Sequence, residues 1–197
     1  MNSRSLRRAA ICACLLPVPA FAHSGTGLAG GLAAGFAHPW NGLDHLLAMA
    51  AVGLWGAFLG RPMVYLLPMI FPSMMVCGAV LGMFGVWLPP VEIGIAASLL
   101  MLGVCVAGAL RLPAREACLI VAVFAIFHGY AHGQELPSAA DPVGYSLGFV
   151  FATGLVHLSG IALGMLKDNA AGLRMIRGCG AAIVIVGGCL LVRAVSS

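Results

Sequence analysis

Two short runs in the chain gather the residue types that bind transition metals. The second of them is Phe127-His128-Gly-Tyr-Ala-His132-Gly-Gln-Glu135. His128 and His132 are four apart and Glu135 is three further on, so a helix places all three on one stripe. Two imidazoles at that spacing can grip one metal ion, as H-x-x-x-H zinc sites do. The first run is His38-Pro-Trp-Asn-Gly-Leu-Asp44-His45. Pro39 suits the first position of a helix, which would set His45 two turns beyond His38 on roughly the same face. Asp44 beside it can serve as a ligand or as the acceptor that orients an imidazole. Plainer readings exist for both runs: a polar helix start with interfacial His and Trp40 anchors, and a helix end fraying into a loop.

Imidazole suits nickel, zinc and copper, and a carboxylate adds charge compensation. No cysteine or methionine motif points to soft copper(I); Met49, Met69, Met74 and Met75 read as packing residues. Glu92, after Pro89-Pro90, reads either as a solvated interfacial carboxylate or as a gating or ligand group. His157 reads as a packing histidine or as a deeper stop on an ion path. The cysteines Cys77, Cys105, Cys118, Cys179 and Cys189 are scattered and read as small buried apolar residues.

The elements that must carry these residues follow from composition. The chain is 61% hydrophobic and only 8% charged over 197 residues, with a mean hydropathy of +1.05. A soluble domain carries about 25% charged residues, so most of this exterior must face lipid. The formal charge of +4 reflects basic residues in short loops rather than a nucleic-acid surface. Arg4, Arg7 and Arg8, a short apolar stretch and Ala20-Phe21-Ala22 read as a signal peptide over residues 1–22, the plainer reading being an uncleaved first helix. Cleavage there leaves His23 at the new N-terminus, where imidazole and amine could chelate metal together. Six apolar stretches follow, at about 40–60, 63–88, 91–110, 116–135, 143–166 and 176–195, each near the length of a spanning helix. Gly25 to Ala37 is too short to span and reads as a surface helix, a re-entrant segment or an extension of the first span.

A cleaved signal puts the mature N-terminus outside. Arg61, Arg111, Arg115, Lys167, Arg174 and Arg177 then all fall on the cytoplasmic side, and only Arg193 outside, which is the asymmetry of the positive-inside rule. The same topology gathers His38, Asp44, His45, Glu92, His132 and Glu135 near the periplasmic face. Charged groups at bilayer depth cost about 2.5–3.5 kcal/mol each and mark function.

The segments HPWNGLDHLLAMAAVGLWGA and FHGYAHGQELP resemble the two signature segments of the HupE/UreJ family of nickel/cobalt permeases, and the resemblance covers essentially the whole chain. The first segment is also similar to the H-x4-D-H signature of the separate nickel/cobalt transporter family, with one more spacer residue here. The resemblance implies inward transport of nickel or cobalt to supply hydrogenase, urease or cobalamin synthesis. It implies His38, Asp44, His45, His132 and Glu135 as functional residues, with Glu92 following from position.

The expectation is therefore an all-α polytopic membrane protein: six transmembrane helices, forming one permease domain over residues 23–197 after the signal peptide. It would sit in the bacterial inner membrane with both mature termini periplasmic and take a divalent metal ion and the lipid bilayer as partners. No nucleic acid and no cofactor are expected beyond the transported Ni²⁺ or Co²⁺, and no feature speaks to oligomeric state. The absence of a G-x-x-x-x-G-K-[ST] loop excludes direct drive by ATP. The rival reading is a membrane-embedded zinc hydrolase that uses the same His/Asp/Glu cluster to activate water.

Overall fold

The computed structural model describes residues 27–135, the side chain of Glu135 aside, and residues 141–196. The expected signal peptide and His23 lie outside the described residues. Among the described residues seven α-helices follow one another: α1 (Gly27–Asn41), α2 (Leu43–Leu59), α3 (Met63–Met83), α4 (Val91–Ala107), α5 (Ala114–Glu135), α6 (Pro142–Gly164) and α7 (Ala170–Ser196), with a 3-10 turn at Met165–Asp168 between the last two. The described residues contain no strand.

The helices α3, α5, α6 and α7 are long and apolar enough to cross a membrane, and α1 with α2 qualifies as one broken span bent by 84°. The apolar α4 is shorter, at 17 residues. Large apolar side chains such as Met69, Val76, Leu119, Phe151, Leu158 and Ile185 point outward. A surface of that kind is stable only against lipid.

At the centre lies α2. Its residues Ala48 and Met49 and the whole run Ala51 to Phe58 are buried, as expected of a helix that is apolar all round. Around it pack α3, α4 and α6. In α3 the residues Met63, Leu67, Phe71 and Met75 recur every four and form its buried stripe.

Glycine decides how closely the outer helices meet. A Cβ at Gly78 would strike the Ile126 carbonyl oxygen, one at Gly129 that of Met75, and one at Gly133 that of Ala79. The order of these contacts makes α3 and α5 parallel neighbours in direct backbone contact. The same holds for α1 and α6, where Gly144 and Gly148 meet the carbonyls of Leu28 and Leu32. It holds again for α2 and α6, where Gly53 meets the His157 carbonyl and Gly160 that of Ala50. Small residues four apart let membrane helices approach in this way, and the gain is van der Waals contact.

The two ends of the bundle differ in chemistry. At one end Lys167 Nζ donates to the carbonyls of Ala57 (2.6 Å) and Phe58 (3.0 Å), satisfying the last carbonyls of α2. There too Arg177 Nε donates to the Ala107 carbonyl at 2.9 Å, and the Arg111 guanidinium lies 5.4 Å from the Phe58 ring. The opposite end holds the histidines.

Candidate metal site

The site is built around the break between α1 and α2. Gly42 is extended there (φ −106°, ψ 103°), and a Cβ on it would lie 3.1 Å from Asp44 Oδ1 and 3.3 Å from His45 Nδ1. The absent side chain lets both groups fold back over the junction. Asp44 occupies the first turn of α2, where the helix dipole favours a carboxylate. Its Oδ1 accepts the His45 backbone N–H at 2.8 Å and lies 2.9 Å from the His45 ring Nδ1.

A corrected register follows. His38 and Pro39 sit in the last turns of α1 rather than at the start of the first span. His38 and His45 therefore belong to two helices at 84° and do not share one helical face. They meet through a third helix instead.

That helix is α5. Its stripe Ala117, Val121, Ala125, His128, His132 is buried throughout, with apolar residues against the core and two imidazoles toward the junction. The His132 ring lies 4.8 Å from that of His38 and 4.6 Å from that of His45, centroid to centroid. The His128 ring lies 4.7 Å from that of His45, at right angles to it. Four imidazoles thus form one string: His38, His132, His45, His128. Phe149 of α6 backs His132 at 4.6 Å, and Tyr145 packs edge-on to His38.

Hydrogen bonding assigns the ring protons. An ionised carboxylate only accepts, so His45 carries a proton on Nδ1, and in the neutral ring Nε2 keeps its lone pair. Ser98 Oγ donates its one proton to the Ile95 carbonyl (2.6 Å) and lies 2.8 Å from His128 Nε2. The serine oxygen must therefore accept from His128, whose Nε2 bears the proton and whose Nδ1 keeps the lone pair. His45 Nε2, His128 Nδ1 and both ring nitrogens of His132 are buried with no hydrogen-bond partner in the protein. Leaving such groups unpaired costs about 1–3 kcal/mol each. The cost is borne repeatedly in one place, and a ligand that accepts nitrogen lone pairs would relieve it there.

The donors are strung along a line: among the described residues no three His, Cys, Asp or Glu side chains form a ready ligand sphere. Glu92 is not on the string. It is exposed in the first turn of α4, where it shares with Asp44 and Arg193 the wall of an open cavity of about 440 Å³. Asp44 links the two features, facing the cavity while holding His45. Glu135 ends α5 one turn beyond His132, its side chain outside the described residues. His157 is buried on α6 away from the string, and the rings of Phe71 and His157 are 5.7 Å apart.

Several contributors were missed in the sequence: Ser98, Phe71, Tyr145, Phe149 and the cavity-lining Arg193. Ser98 is a single hydroxyl in an apolar stretch, and serine is too common in membrane helices to signal a role. Arg193 gave the one usable signal, as the only basic residue expected on the outer side.

An all-helical, multi-pass membrane protein with buried imidazole donors beneath an acidic cavity is the class these features define. The chain belongs to the HupE/UreJ family: the family model described as HupE / UreJ protein matches residues 11–190. It is also similar to Protein HupE of Rhizobium leguminosarum bv. viciae, 43% identical over 178 residues, which cover 90% of this chain and 93% of that protein. No solved structure matches it.

Proposed function

We propose that the protein is a secondary permease that carries Ni²⁺, with Co²⁺ the close second, from the periplasm to the cytoplasm, to supply a metalloenzyme such as hydrogenase or urease. Membership of the HupE/UreJ family, associated with nickel and cobalt uptake, supports the cargo. The carrying observation is the string of imidazoles whose hydrogen bonds leave His45 Nε2 and His128 Nδ1 as bare lone pairs beside His132. Imidazole nitrogen binds these ions well. A line of donors lets neighbouring rings capture an ion in pairs and pass it on, whereas a retained catalytic zinc needs three protein ligands around one point.

The orientation puts the histidine end outside and the Arg111, Lys167 and Arg177 end in the cytoplasm, with both mature termini periplasmic, in keeping with the positive-inside rule. His38, Asp44, His45, His128 and His132 form the entry site, with Glu92 and Glu135 contributing charge at its mouth. The membrane potential alone favours inward movement of a dication by about 4.6 kcal/mol per 100 mV.

The test is uptake of radiolabelled nickel and cobalt into proteoliposomes with an imposed potential, comparing the parent with Asp44→Asn. The amide keeps the shape of Asp44 but removes its charge and its firm hold on the His45 tautomer. Uptake should fall about tenfold or more with unchanged protein in the membrane. Parent-like uptake by Asp44→Asn would refute the assignment, and a tightly retained zinc unaffected by added nickel would favour the hydrolase.

A further inference from the structure

Two buried polar side chains lie outside the string, and neither packing nor the entry site accounts for them. His157 is 3% exposed and Thr153 is 1% exposed. His157 Nε2 and Thr153 Oγ1 both lack a hydrogen-bond partner in the protein. They are four residues apart on α6, on one stripe of the helix. A threonine hydroxyl in a helix commonly bonds a carbonyl of its own preceding turn, as Ser159 does with Val156. Thr153 does not, so its hydroxyl stays free for another ligand.

Their depth can be gauged along two helices. On α6, His157 is eight residues beyond Phe149, the residue that backs His132, which is about 12 Å at helical rise. On α2, the residue whose Cβ would strike the His157 backbone is Gly53, eight residues and so about 12 Å beyond His45. Both helices place His157 one step further from the histidine end, toward the end marked by Lys167. Phe71 touches both levels. Its ring centroid is 5.6 Å from that of His128 and 5.7 Å from that of His157. One aromatic ring thus contacts both the innermost imidazole of the string and the next imidazole down.

Building on the carrier reading, we propose that His157 and Thr153 form a second, inner stop for the dication, supplying one nitrogen and one oxygen donor, with Phe71 as the partition the ion passes on the way from His128. Two protein donors are few for a transition metal, and that suits the purpose. An intermediate stop must bind well enough to draw the ion in and weakly enough to let it leave. The cation keeps part of its hydration shell there, and entry affinity remains a property of the outer string.

The experiment uses the full-length protein, with two readouts: equilibrium nickel binding in detergent and initial nickel uptake into proteoliposomes. His157→Phe fills the site but removes its nitrogen, and His157→Gln keeps a polar atom near the position of Nε2. Uptake by His157→Phe should fall about tenfold while the affinity of the outer string changes by less than about twofold, and His157→Gln should recover part of the rate. Thr153→Val, of the same shape, should lower uptake about threefold, and it decides the matter should His157→Phe fail to reach the membrane. Parent-like uptake by His157→Phe, or by Thr153→Val in that case, overturns the inner stop and leaves the carrier reading standing. So does a loss of binding in step with uptake. A parent that moves neither nickel nor cobalt overturns the carrier reading and this inference together.

Discussion

The Ser98 hydroxyl on α4 and the His128 imidazole on α5, thirty residues apart in the chain, meet at 2.8 Å in a fully buried contact. Because the serine proton is committed to the Ile95 carbonyl, this one contact settles which nitrogen of His128 is bare. Replacing Ser98 by Ala leaves a buried N–H unpaired and lets the ring invert its tautomer. Nickel affinity of the purified protein should drop about tenfold, while Ser98→Thr, which keeps the hydroxyl, should bind close to the parent. Equal loss in both variants would show that packing, not the hydrogen bond, matters at this position.

The cavity wall sets two carboxylates, Asp44 and Glu92, against one guanidinium, Arg193. That guanidinium repels an arriving dication. Arg193→Gln should therefore lower the half-saturating nickel concentration by about two- to fivefold at low ionic strength, and the gain should shrink as salt rises toward about 0.5 M. Uptake measured against nickel at several salt concentrations checks this. A benefit that does not vary with salt would be inconsistent with an electrostatic origin.

Glycine positions offer a stability test with a built-in contrast. At Gly133 a Cβ would run into the Ala79 carbonyl, whereas at Gly178 it would meet open space. Gly133→Val should destabilise the protein by about 1–3 kcal/mol, seen as a lower midpoint of thermal unfolding in detergent. Gly178→Ala should match or slightly exceed the parent, since alanine favours a helix by about 1 kcal/mol over glycine. Similar midpoints for all three proteins would mean that α3 and α5 do not depend on backbone contact.

The apolar stretches were legible because lipid-facing helices need long apolar runs. The start of α6 has a local cause: Asp141 accepts from the Gly144 N–H at 2.8 Å, with Pro142 in the first turn. The helix α7 begins at Ala170, six residues before the apolar stretch at about 176–195, because its first turns carry the polar Arg174; Asn169 caps it by accepting the Gly172 N–H at 2.8 Å. The stripe of His128 and His132 was legible from spacing alone. The break at Gly42 was not. Proline fits a first helical turn as readily as it sits in the closing turns of α1, and the buried residues of α1, Gly31, Gly35 and Pro39, are of types that read as helix breakers. The convergence of His38, His45 and His132 depends on that break and on helix–helix packing, neither of which local sequence spacing encodes.

Close glycine-to-backbone contact joins α3 to α5, α1 and α2 to α6, and α4 to α7, where Gly180 meets the Gly103 carbonyl, so the bundle contains three tightly zipped stacks, with a seam between the first two. His38, His45 and His157 belong to one of these two; Phe71, His128 and His132 belong to the other. Every ring contact along the string, His38 with His132, His45 with His132 and His45 with His128, therefore crosses the seam, as does the contact of Phe71 with His157. Any displacement across that seam would therefore change the imidazole pairs and move the phenyl ring together, as one coupled event.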